Sequence, residues 1–252
     1  MSDLVLVLVG LFLPLFPLSM VFNGLLQRVT QTKLRLITML LWPQIGIAIV
    51  SIVGIEIPAW IIFWAMLTSV LYGFRALALR EVGMWSGFIA TSAWALLWLT
   101  IDSETSWLQL AMYGIALSIP LALLLSLAKE LQQRFGAAYT DLYGGLALSV
   151  PRLSGVLVFV VLAVVATPLF PGFSVMLAAI VESTLMSLVV AIGVGISWLL
   201  WSWAGARLLQ GLIVGPAHDE SSDDLTAGQT WAYSIVLIIL AIGGIVSIGN
   251  LS

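Results

Sequence analysis

The chain has 252 residues and a formal net charge of −3, with 62% of its side chains apolar and 8% charged, against about a quarter charged in an average soluble domain. A mean hydropathy of +1.16 excludes an ordinary water-soluble enzyme: so few charges cannot solvate a globule of this size, and most of the chain must meet lipid or other apolar helices. With no cysteine and a single histidine, His218, disulfides, thiolate metal sites and cysteine nucleophiles are excluded, and no cofactor or metal is expected.

Uncharged apolar stretches of about 20 residues are long enough to cross the hydrocarbon core as helices. Such stretches are predicted at 4–22, 36–55, 59–79, 82–101, 107–128, 153–184, 189–211 and 229–249, forming one membrane domain over 1–252. The first lacks a basic leader and holds Pro14 and Pro17 mid-stretch, so it reads as a retained span and not as a cleaved signal peptide. The sixth is interrupted by Thr167-Pro168-Leu169-Phe170-Pro171-Gly172. Its length allows two crossings or one broken one.

The basic residues decide between these, because Lys and Arg favour the cytoplasmic side of bacterial-type membranes. Arg28, Lys33 and Arg35 follow the first span, Arg75 and Arg80 end the third, Lys129, Arg134 and Arg152 separate the fifth from the sixth, and Arg207 ends the seventh. All fall on alternate connections, while the intervening ones carry Glu56, Asp102, Glu104 and Glu182. Two crossings at 153–184 would put Arg207 on the wrong side. Eight crossings are therefore expected in a bacterial-type inner membrane, one of them broken and both termini non-cytoplasmic. The connection 212–228 carries Asp219, Glu220, Asp223 and Asp224 beside His218. It lacks the spacing of a calcium loop and is expected to be a solvated loop or a docking surface for a basic partner.

Two spans share one tetrapeptide: Pro14-Leu15-Phe16-Pro17 and Pro168-Leu169-Phe170-Pro171. Each proline removes an amide donor and clashes with the carbonyl one turn back, so each pair interrupts its helix and frees carbonyls that need protein or water around them. Corresponding breaks point to an inverted-repeat transport fold; chance recurrence in a chain rich in Leu and Phe is the alternative.

At these residues the sequence resembles the antiporter-like membrane subunits of respiratory complex I, of Mrp-type cation/proton antiporters and of membrane-bound hydrogenases. That family has fourteen helices, the seventh and twelfth broken, and its seventh reads approximately Lys-x-Pro-x-x-Pro-x-His. Here Pro14 and Pro17 are kept, with Phe12 and Ser19 at the lysine and histidine positions. Gln44, followed by Gly46, stands where the eighth helix carries a lysine. Glu81 matches an aspartate in kind, and Gly83 replaces the lysine beside it. Gly136, Asp141, Gly144, Gly145, Leu146 and Pro151 match the connection before the second break, Leu117 and Leu121 replace a histidine and a lysine upstream, and Met176 lies at or near a charged position after Gly172-Phe173. The resemblance covers nearly the whole chain, but only the family's helices seven to fourteen.

Family members are thought to pass protons along buried lysine, histidine and glutamate side chains, which work because they titrate in a hydrated midplane file. Those matching positions are apolar, glycine, serine or glutamine here, and Arg75 and Arg207 lie near span ends. Gln44, Thr68, Ser69, Ser118, Ser126 and Thr167 are candidates to line a wet path; helix–helix hydrogen bonding is the competing role. Glu182 is the sharpest single candidate for ion handling, against an interfacial acid beside a turn. Arg75, Arg80 and Glu81 form a charge cluster on the cytoplasmic side. No catalytic residue is expected, since there is no phosphate loop, nucleophile constellation or zinc set.

The resemblance implies a degenerate half-length subunit docking on a full-length antiporter-like relative in an ion-coupled complex: respiratory, hydrogenase, Mrp-type or for inorganic-carbon uptake. Expected partners are membrane lipid, other membrane subunits and a soluble subunit on the cytoplasmic face, with no nucleic acid. The other class is an independent proton or cation transporter or channel, as a homodimer restoring the missing half. Among the eleven tryptophans, Trp42, Trp60, Trp107 and Trp231 sit near span ends like interfacial anchors. Trp94, Trp98, Trp198, Trp201 and Trp203 are expected to pack against lipid or a partner, a quinone or lipid pocket being the alternative.

Overall fold

A computed structural model describes the chain except for residues 1, 55, 102–104, 141–143, 217–222 and 250–252. The run His218-Asp219-Glu220, the acids Asp102 and Glu104, and Asp141 lie outside the described residues. Those described are helical, apart from turns and one isolated bridge pairing Glu81 with Tyr139.

The first apolar stretch forms α1 (Ser2–Phe12) and α2 (Ser19–Arg28) on either side of a break at 13–18. Four long segments follow: α3 (Thr32–Val53), α4 (Ala59–Ala76), α5 (Val82–Ala95), which tightens into a 3-10 turn at Leu96–Thr100, and α6 (Trp107–Phe135). A short α7 (Leu146–Ser149) leads to α8 (Pro151–Val164), a second break at 165–171 and α9 (Gly172–Met186), then α10 (Leu188–Ile213) and α11 (Ala227–Gly249). Among the described residues, six helical stretches are long and apolar enough to cross a membrane, and α8 and α9 are shorter apolar helices. The chain is an all-α, multi-pass membrane protein.

One end of the bundle collects the basic residues. Arg35, Glu81 and Lys129 line one small cavity there, and Arg80 and Arg207 a larger one. At the other end Gly54, Glu56, Thr105 and Trp107 share a cavity with Met186, the last residue of α9. The segment from α8 to α9 therefore runs once from the basic end to the acidic end, as a single broken traverse.

The acidic connection has a structural task at its described end. The Asp224 carboxylate accepts hydrogen bonds from the backbone N–H groups of Arg152 (2.8 Å) and Leu153 (3.0 Å), satisfying donors that the first turn of α8 leaves orphaned. Arg134 donates from Nε to the Asp223 carbonyl at 2.7 Å, and Arg152 from Nη1 to that of Leu225 at 3.2 Å. Residues 223–225 thus strap α6 to α8 at the described end of the connection.

At the centre stands α5, packed by α2, α4, α6 and α10. From Trp85 to Ala95 every residue is buried. Gly87, Ala90 and Ala93 let neighbouring helices approach closely, which is how helices associate where lipid offers no hydrophobic driving force. Trp85, Trp94, Trp98 and Trp201, all buried, fill the space around it.

Candidate ion-path core and the two helix breaks

The first break is held by indoles. The carbonyls of Leu11, Leu13 and Phe16 accept hydrogen bonds from the Nε1–H groups of Trp42 (3.0 Å), Trp98 (2.9 Å) and Trp64 (2.6 Å), and the Phe16 N–H donates to Thr68 Oγ1 at 3.1 Å. Pro17 removes the helical donor of the Leu13 carbonyl, and at all three carbonyls of the break an indole supplies the hydrogen bond; an indole is a donor only, so each bond spends the one polar atom of its ring. Gly46 of α3 lets the break come close, since a Cβ there would stand 2.9 Å from Leu13 Cγ and 3.1 Å from the Leu13 nitrogen.

The second break repeats the scheme with other elements. Trp198 Nε1–H donates to the Val165 carbonyl at 3.1 Å, and Thr167 Oγ1 donates back to the Leu162 carbonyl at 3.1 Å. Gly244 of α11 rests directly on the backbone of Leu169 and Phe170. Trp42 is thus a clasp on the first break, where its place near a span end suggested an interfacial anchor, and Trp94, Trp98 and Trp201 face the protein core and not lipid.

The core also holds small polar groups that pair in separate contacts. Ser19 Oγ donates to Tyr72 OH at 2.8 Å, and Asn23 Nδ2 to Thr91 Oγ1 at 2.8 Å. The Ser92 hydroxyl donates to the Ser69 carbonyl at 2.6 Å while Trp201 Nε1–H donates to it at 2.7 Å and Ser69 Oγ lies 3.0 Å away. That hydroxyl is saturated, with one proton given and two lone pairs taken. Trp94 Nε1–H donates to Ser118 Oγ at 3.1 Å.

The residues singled out from sequence are dispersed. Gln44, half-buried, donates to the Ala111 carbonyl at 3.2 Å and packs on α6 at Gly114. Thr68 and Thr167 each serve a break, and Ser118 serves Trp94. Ser126 meets Tyr233 OH at 2.7 Å. Glu182 is half-buried late in α9. No hydrogen bond joins any two of Gln44, Thr68, Ser118, Thr167 and Glu182. Of the prolines, Pro14 is buried and Pro171 half-buried, Pro17 and Pro168 are exposed, and Gly172 is buried as the first residue of α9.

The charge cluster is likewise divided among separate tasks. Glu81 caps α5, accepting from the N–H groups of Gly83 (3.0 Å) and Met84 (2.5 Å). The Arg75 guanidinium lies 5.0 Å from the Phe88 ring centroid, a cation–π placement, and Arg80 is exposed with its carbonyl accepting from Thr140 N–H at 2.8 Å.

Sequence reasoning passed over Asn23, Thr91 and Ser92. Their signal was the run of small and hydroxyl residues on α5 with Trp94 and Trp98 one turn apart, which marks a helix packed on all sides. Chemically the core holds hydroxyls, an amide, a phenol and indoles, and none of these takes up a proton near neutral pH as a lysine, histidine or carboxylate does.

The described residues thus form a helical membrane fold with two broken helices and buried polar side chains packed between neighbouring helices. No family profile matches the sequence, and no curated protein matches it. Solved structures do. A chain of the respiratory complex I from Thermus thermophilus with bound NADH superposes with a TM-score of 0.74 at 20% identity, covering 94% of this chain and 52% of that one. A chain of the Mrp complex from a Dietzia species gives 0.79 at 14% identity, with 97% and 56% covered. A chain of the membrane-bound sulfane sulfur reductase, an archaeal respiratory membrane complex, gives 0.80 at 16% identity, with 96% and 53% covered. The chain shares its fold with these chains of membrane complexes and spans about half the length of each.

Proposed function

We propose that this chain is a degenerate half-length antiporter-like subunit, docked on a partner within an ion-coupled membrane complex and supplying packing surface and one wall of a path whose charge relay lies elsewhere. One observation carries this reading: among the described residues, the buried polar side chains are Ser, Thr and Asn only, with no buried Asp, Glu, Lys, Arg or His. A proton relay needs groups that exchange charge within the membrane, and such groups are retained there only for function because they are costly. Here the fold and both breaks are kept, tryptophans occupy the interior, and the relay groups are absent. Glu182, near the acidic end, then acts as an interfacial acid.

The setting in this reading is a respiratory, hydrogenase, Mrp-type or inorganic-carbon-uptake assembly in a bacterial-type inner membrane, with both termini outside the cytoplasm; chains of respiratory and Mrp complexes that share the fold support a multi-subunit membrane assembly. Affinity purification of the tagged chain from its own membranes in mild detergent tests this. The expected result is stoichiometric co-elution of a polytopic subunit of the same fold and about twice the length. Elution of the chain alone, or only with copies of itself, contradicts it.

A further inference from the structure

We infer that the small cavity between the start of α3 and the last turns of α6 binds one phosphate-type oxyanion. Thr30, Thr32, Arg35, Glu81, Lys129 and Gln132 line it. They come from separate elements: Thr30 precedes α3, Thr32 and Arg35 lie in its first turn, and Lys129 and Gln132 share a face of α6. Arg35 Nε is buried and has no hydrogen-bond partner. Among the described residues no side-chain hydrogen bond or ion pair engages Thr30, Thr32, Lys129 or Gln132 either. A buried guanidinium donor left unpaired is rare in a folded protein and calls for an acceptor beside it.

Glu81 is on the same wall and does not supply that acceptor. Its two oxygens accept from the N–H groups of Gly83 and Met84, and it forms no ion pair with Arg35 or Lys129. A Cβ on Gly83 would stand 2.7 Å from both Arg35 Nη2 and Glu81 Oε1, so the bare glycine is what seats the guanidinium there. The donors left open are a guanidinium, an ammonium, two hydroxyls and an amide. Water would offer them oxygen without charge, whereas a phosphate oxygen brings both and is matched in pairs by a guanidinium fork. The Glu81 carboxylate favours a ligand of low charge, such as a phosphodiester or dihydrogen phosphate. A volume of about 40 Å³ holds about three water-sized groups, which is one oxyanion and not an organic ligand. Thr30, Lys129 and Gln132 are exposed, so the mouth opens at the basic end, to a soluble anion or a lipid headgroup. This site rests on no feature of the interior and stands independently of the role proposed above.

Equilibrium dialysis of radiolabelled inorganic phosphate against the purified chain, in maltoside micelles that carry no phosphate and at constant ionic strength, is the test. The wild type is expected to bind one phosphate per chain saturably. Arg35→Gln is expected to weaken binding at least about tenfold, the worth of one charge-assisted hydrogen bond. Lys33→Gln removes the same charge two residues away, from an exposed side chain off the cavity wall, and is expected to change it by less than about twofold. Repeating the dialysis in nanodiscs containing phosphatidylglycerol separates the two sources: displacement of phosphate by the lipid makes a headgroup the resident ligand, and binding as in micelles makes it the soluble anion. Absence of saturable binding by the wild type in micelles overturns the proposal without reference to any variant's folding. So does equal weakening by Arg35→Gln and Lys33→Gln, which marks diffuse attraction only.

Discussion

Trp98→Ala is expected to be among the most destabilising single substitutions in the chain. Trp98 is fully buried, and truncating a buried tryptophan to alanine costs about 3–5 kcal/mol through lost contacts and the cavity left behind. The Leu13 carbonyl, which accepts the indole N–H at 2.9 Å, is then orphaned beside a proline break, adding about 1–3 kcal/mol. Trp98→Phe separates the two effects, since it keeps much of the ring and removes the donor; its expected cost is about 1–3 kcal/mol. Trp107→Ala, 66% exposed at the start of α6, is the comparison, with an expected change within about 0.5 kcal/mol. Equilibrium unfolding in detergent reads all three. Were Trp98→Phe as stable as the wild type, the indole would not be what holds the first break.

Adjacent glycines in α11 are expected to answer substitution with opposite signs. A Cβ on Gly244 would meet the Leu169 carbonyl and stand 2.8 Å from the Phe170 carbonyl carbon. Those are backbone atoms of the second break and cannot rotate aside. Gly244→Ala therefore pushes α11 off α8 and α9, at about 1–3 kcal/mol as for other overpacked sites. A Cβ on Gly243 meets nothing within 4 Å, so Gly243→Ala is expected to be neutral or to stabilise by up to about 1 kcal/mol through helix propensity. The same unfolding measurement, with cross-linking between α11 and the break as a distance readout, checks the pair. Equal effects at the two positions would mean that α11 does not rest on the break.

The parts of this architecture that could be read from the sequence are those governed by local chemistry or by a large energy. Proline removes a donor wherever it sits, so the two Pro-Leu-Phe-Pro runs announced both breaks. The alternation of basic residues, with Arg207 among them, pointed to a single crossing at 153–184. What could not be read were pairings across long separations. Trp42 and Leu11 are 31 residues apart, Trp64 and Phe16 48, and Trp98 and Leu13 85, and periodicity carries no information about such pairs. Proximity to a span end made Trp42 look like an interfacial anchor, whereas its ring packs at a tilt against Phe12 and Phe22 while its N–H holds the break. Helix α6 runs on to Phe135 because Glu130 and Arg134 pair one turn apart beyond the apolar stretch; a count of uncharged residues stops at Lys129. Asp224 looked like one acid among several, and only the fold brings it to the first turn of α8.

The candidate site divides in the same way. The absence of relay groups was legible at single positions, because Phe12, Gln44, Gly83, Leu117 and Met176 stand where the resembled family has charge. The filling of the interior was not, because it is made by side chains from α4, α5, α6 and α10 meeting at Ser92, Trp94 and Trp201. Indole N–H groups take up the hydroxyls of Ser92 and Ser118, which leaves those two with less capacity for water than free hydroxyls would have.

The most direct measurement is ion flux through the purified chain alone in proteoliposomes, with pH- and sodium-sensitive dyes inside and an imposed gradient of each ion. The expected result is flux at the rate of protein-free vesicles for both ions, unchanged by Glu182→Gln. Gradient-driven flux well above those vesicles, abolished by Glu182→Gln, would contradict the account.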